Sequence, residues 1–136
     1  MRLILIILLL LCFGKCATTS QKELFTKVSK WNWSSNQGYM NWNDANAKCY
    51  GIGMRLPTTD ELNAVFESYL GERWLQEDYE LRTGYFYWTS TSMTLFGLSN
   101  SHAAAVAMKN SIWPGHADAR SMEKERKNNV RCIQIN

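Results

Sequence analysis

Past residue 16 the chain carries only two cysteines, Cys49 and Cys132, 83 positions apart. Two such residues allow one intramolecular bond, and that bond would tie the first third of a domain to its end. The alternative is a pair of buried free thiols. Which reading applies depends on the compartment, since disulfides form where the environment is oxidising. The N-terminus speaks to that. Residues 3–11, LILIILLLL, are continuously apolar and follow Arg2. The run is shorter than the roughly 20 residues a membrane span needs. It fits the apolar centre of a secretory signal peptide instead, and export favours the bond.

Two further cysteines close this leader, in LLLLCFGKCATTSQKE. An apolar run ending in Cys and followed by small polar residues resembles a bacterial lipoprotein signal, in which the Cys becomes the acylated first residue. Cys16 is the expected lipidation site. Phe13 and Gly14 extend the apolar stretch before it, and Ala17 to Ser20 follow as a soft tether; Cys12 is the competing choice. Neither has the usual small residue directly before it. An ordinary cleaved signal that discards both is the other reading. The expected organisation is a signal peptide over 1–15, a tether over 16–30 and one domain over 31–136.

Removing 1–15 takes away Arg2 and Lys15 and lowers the formal charge from +3 to +1. A basic footprint for nucleic acid is not indicated. What remains suffices for one domain with a real core. LFTKV is expected as a first strand or a short helical turn, and Asn36-Gln37-Gly38 as a bend. In WNDANAKCYGIGMRLPTTDEL (42–62), Trp42, Ala45 and Cys49 recur on one helical face, with Asn41 or Asn43 as cap and Gly51 and Gly53 as the stop. Cys49 therefore points inward. Thr58-x-x-Glu61 is a capping box, followed by an apolar stripe at Leu62, Val65, Phe66, Tyr69 and Leu70 that Gly71 is expected to end. Arg55-Leu56-Pro57-Thr58 reads as structural, with a binding role as the lesser alternative.

After residue 80 the pattern turns to strands. They are expected at 84–92 (GYFYWTSTS), at 102–109 (HAAAVAMK), around SIWPGHADA with a break at Pro114-Gly115, and finally in NNVRCIQIN. SMEKERKNN, 121–129, reads as a charged loop. Helices early and strands late point to an α+β fold. A bond between Cys49 and Cys132 would staple the first helix to the last strand, a restraint of roughly 4–4.5 kcal/mol on a chain-entropy view.

WNDANAKCYGIGMRLPTTDEL, YWTSTS and NNVRCIQI together resemble the Lcl C-terminal domain family, over roughly 31–136. That family is similar in turn to the C-type-lectin-like fold, where a Trp-x-x-Ala-x-x-x-Cys helix pairs its cysteine with one in the last strand. The resemblance implies two helices flanking a small antiparallel sheet, with a long loop region between the middle strands. It implies a binding face on that loop, about 93–120 here, which carries His102, Trp113 and His116. Trp113 as a core plug beneath the loop is the competing reading. Calcium-dependent lectins carry acidic tripeptides that this chain lacks, with RKNNVRC standing in place of one of them. Calcium-dependent sugar binding is therefore not inherited.

RLPT also resembles a motif of formylglycine-generating enzymes. Those use a cysteine pair for oxygen chemistry, and here both mature cysteines are assigned to the staple. His116-x-Asp118 is a thin basis for a metal site. No Gly-x-Ser-x-Gly elbow or phosphate-cradling glycine loop is present. The expectation is no catalysis, no metal and no cofactor. The expected function is an exported, lipid-anchored envelope binding module of the adhesin or receptor class. Its ligand would be a glycan or an envelope or host protein, and its location the outer membrane, cell surface or periplasm. The alternatives are a structural envelope lipoprotein and, behind it, a relative of the formylglycine-generating enzymes.

Overall fold

The computed structural model describes residues 22–79, 86–92, 101–107 and 118–134. The leader, Cys12 and Cys16, the turn at 109–111, and Trp113 to His116 lie outside them. Four helices are described: α1 (22–29), α2 (Trp42–Gly51), α3 (Thr59–Phe66) and α4 (Tyr69–Tyr79). The strands are β1 (Asn32–Trp33), β2 (Tyr39–Met40), β3 (Phe86–Ser92), β4 (His102–Ala107), β5 (Asp118–Glu123), β6 (Asn128–Asn129) and β7 (Ile133–Gln134). The fold is α+β. One sheet has the order β2-β6-β3-β4-β5, and a second pairs β1 with β7.

The larger sheet is the central layer, and the alternation of its strands builds a core on each side. Trp88, Ala103 and Ala105 face one side, where Ala45, Cys49, Leu56, Val130 and Cys132 complete a buried cluster. Tyr87 and Val106 face the other, with Val28, Leu62, Val65 and Trp74. Neighbours along one strand thus serve opposite cores, as a period of two requires. The run Ala103-Ala104-Ala105 is buried throughout. So is the β3 segment Tyr87-Trp88-Thr89, whose bulk complements those small residues.

Several expectations need correcting. The two-helix arrangement becomes four helices. The stretch expected as a tether over 16–30 is helical across its described part, 22–29, and Val28 is fully buried in the second core. The packed unit therefore starts before residue 31. The stripe from Leu62 to Leu70 is not one helix. It breaks at Glu67-Ser68, where the Ser68 hydroxyl donates to the Val65 carbonyl (2.6 Å) and accepts from the Leu70 amide (3.2 Å). Gly71 does not end a helix; it lies inside α4. A Cβ there would stand 2.8 Å from both the Phe66 Cα and the Val65 carbonyl oxygen, so its bareness lets α4 turn tightly against α3.

The sheet is mixed rather than purely antiparallel. β6 enters between β2 and β3 and runs parallel to β3 at Tyr87↔Asn129. The expected loop region at 93–120 contains regular sheet, since β4 and the start of β5 fall within it. The charged run 121–129 is likewise not all loop. Met122 points to the first core while Ser121 and Glu123 face solvent, a strand alternation hidden by the charges around it. Asn128 and Asn129 at its far end are buried in β6. The last strand is also divided: β6 pairs with β2, and β7 pairs with β1.

Candidate functional site

The disulfide is built from local signals. Asn41 caps α2 by accepting from the Asp44 amide (2.9 Å), which fixes the first turn. From that start, Ala45 and Cys49 fall on the inward face, and both are fully buried. The helix stops at Gly51, and Gly53 takes φ +74°, a conformation suited to glycine. Cys49 is bonded to Cys132, with their Cα atoms 5.4 Å apart.

Cys132 is the middle of three consecutive residues that gather the rest of the fold. Its amide donates to the Ser34 hydroxyl (2.8 Å), and its carbonyl accepts from the Ser34 amide (2.9 Å). Ile133 exchanges two backbone bonds with Arg55, at 3.1 and 2.8 Å. On the other side is Arg131, 4% exposed. Its Nη2 donates to Asp78 Oδ1 (2.9 Å) and Glu77 Oε2 (2.9 Å), and its Nε to Asp78 Oδ2 (3.2 Å). Its Nη1 reaches the Ser34 carbonyl (3.3 Å), and its guanidinium lies 4.4 Å from the Trp74 ring centre. The Tyr87 hydroxyl donates to the same Asp78 carboxylate. Burial first, and then that bond, push the Tyr87 phenol far above its ordinary value, so it stays a donor. Donors and acceptors here satisfy one another, which makes the cluster a clasp between α4, β3 and the C-terminal segment. Nothing in the local sequence pattern marked Arg131 and Asp78 as partners, since 53 positions separate them.

The RLPT segment is also structural. Arg55 makes a two-armed contact with Glu61 (2.9 and 2.8 Å), and Glu61 completes the capping box by accepting from the Thr58 amide (2.7 Å). Partial burial acts to raise the Glu61 pKa. The bonds from Arg55 and Thr58 outweigh it, and the net shift is below the usual carboxylate range.

Of the expected ligand residues, His102 alone is described. It opens β4 opposite Glu123, and its Nδ1 lies 2.8 Å from the Ser101 hydroxyl. The connection carrying Trp113 and His116 leaves from Ala107 and returns at Asp118, which are paired with each other. That is the other end of β4, about 17 Å away along a six-residue strand. His102 and the anchor points of that connection therefore lie at opposite ends of the sheet. Among the described residues no group of three or more His, Cys, Asp or Glu side chains is placed to hold a metal ion, and no helix is long and apolar enough to cross a membrane.

Compared with protein-family models and with curated proteins, the sequence gives no match.

Proposed function

We propose that this chain is an exported, lipid-anchored binding module of a bacterial cell envelope, built on an Lcl C-terminal-like, C-type-lectin-like domain, and that it is not an enzyme. The observation that carries the reading is the Cys49–Cys132 bond. A disulfide buried in the core suits an oxidising compartment, which is where the apolar leader would deliver the chain. The bond also occupies both cysteine sulfurs outside the leader, so neither is a thiol for formylglycine-type oxygen chemistry. Attachment would run through acyl chains on Cys16. Two or three are expected, because one gives marginal anchoring. The ligand face would draw on the 93–120 region, with Trp113 and His116 carried by one connection and His102 at the other end of β4; a stretch that mixes an aromatic with polar residues suits a sugar ring or a protein hot spot.

The test combines detergent-phase partition of the full chain with a glycan array. Wild type should enter the detergent phase and Cys16→Ala should leave it. If Cys12→Ala leaves instead, the acylated residue is Cys12; if wild type is aqueous, the anchor is withdrawn. Binding that Trp113→Ala abolishes at unchanged melting temperature supports the ligand face. A fall of many degrees with binding retained assigns Trp113 to the core.

A further inference from the structure

Helix α1 has one face in the core and one in solvent. Val28 is fully buried, Leu24 packs against the same cluster, and the Val28 carbonyl accepts from the Trp33 indole (3.2 Å). The opposite side is exposed and basic. Lys22 and Lys27 lie on the helix, and Lys30 lies in the turn that continues it. At 100° per residue the three project within an arc of about 140°, whose midpoint is nearly opposite Val28. None is in an ion pair among the described residues, whereas Arg55, Arg73 and Arg131 all are. Glu23 is the one acidic residue on α1, so the outer face keeps a net positive charge. The exposed hydroxyls of Thr26 and Ser29 donate to carbonyls of their own helix.

We infer that this outer face of α1 docks on the anionic headgroups of a phospholipid bilayer. The inference rests on the proposed anchor at Cys16. From Cys16 to Lys22 is six residue steps, a reach of about 20 Å at full extension. The helix is therefore confined near the surface that holds the acyl chains, whatever path residues 17–21 take. Within a Debye length, about 8 Å at physiological ionic strength, clustered lysines are drawn to anionic headgroups. Docking by this face leaves α2, on the far side of the central sheet, turned away from the bilayer.

The experiment is amine acetylation of the purified, acylated full chain, read lysine by lysine by mass spectrometry. The chain is reconstituted in vesicles of phosphatidylcholine alone, or with about one-third phosphatidylglycerol. Lys22, Lys27 and Lys30 are expected to react about threefold more slowly in the anionic vesicles, and to recover when about 1 M salt shortens the Debye length to about 3 Å. Lys48 on α2 and Lys127 should react equally in both. Equal reactivity of the α1 lysines in the two vesicles overturns the inference and leaves the anchor standing, as does protection that salt does not relieve. An N-terminal peptide without acyl mass overturns both.

Discussion

Arg131→Met is the most informative single change, because the clasp it breaks is nearly dry. The Arg131 and Asp78 side chains are 5% and 6% exposed. Methionine preserves much of the stem's packing against Trp74 and removes the charge. The Asp78 carboxylate is then left with the Tyr87 hydroxyl as its described partner. Removing one member of a buried ion pair costs about 3–5 kcal/mol, chiefly through the charge left behind. With a urea m-value of about 1.5 kcal/mol/M for a domain of this size, the midpoint should fall by about 2–3 M. The assay is equilibrium urea unfolding with the disulfide intact, followed by circular dichroism. Adding Asp78→Asn removes the stranded charge and keeps an acceptor for Tyr87, so the double variant should recover about 2 kcal/mol of the loss. A single-variant loss under about 1 kcal/mol would refute the reasoning. So would a double variant whose cost equals the sum of its parts.

Three further outcomes follow from the geometry. Replacing both Cys49 and Cys132 by Ala should cost about 4–4.5 kcal/mol, checked by urea unfolding, and non-reducing peptide mapping of wild type should recover the linked pair. Gly71→Ala should destabilise by about 2 kcal/mol or more, because the new methyl meets the backbone of Phe66 and Val65 at 2.8 Å; a melting temperature within a degree or so of wild type would count against the close approach. Glu61 has a folded pKa below its ordinary 4.5, so its contribution is present above that value and is lost as pH falls through the lower folded value. Glu61→Gln should therefore lose stability at neutral pH and show a shallower acid decline than wild type, and parallel acid curves would contradict this.

Much of the helical half was legible because its signals are local. Asn41 as a cap, Thr58 with Glu61 as a capping box, and Gly53 as a turn each act through neighbours a few positions away. The Cys49–Cys132 bond was legible because the count of cysteines left few choices. The failures have a common physical origin in long-range contacts. Gly71 looks like a stop signal in sequence, yet its role is set by the backbone of Val65 and Phe66 folding back on it. Asn128 and Asn129 read as loop because buried asparagines carry no periodic signature. They are strand residues because Met40 and Tyr39 pair with them. The expected ligand face shows the same long-range effect, since the sheet register sets His102 at the β4 end away from the connection that carries Trp113 and His116.

The topology also sets an order of events during synthesis. β1 waits for β7, β2 waits for β6, and Cys49 waits for Cys132. Each of these early segments has its partner within residues 128–134. A nascent chain can form α2 and α3, but it cannot pair β1 or β2 until residues 128–134 have been made and have left the ribosome. Loop closure then has to span most of the domain at once, which slows folding relative to a chain of local contacts. Until residues 128–134 are available, the edges of β1 and β2 and the Cys49 thiol lack their native partners, so all three become satisfied together by one short segment.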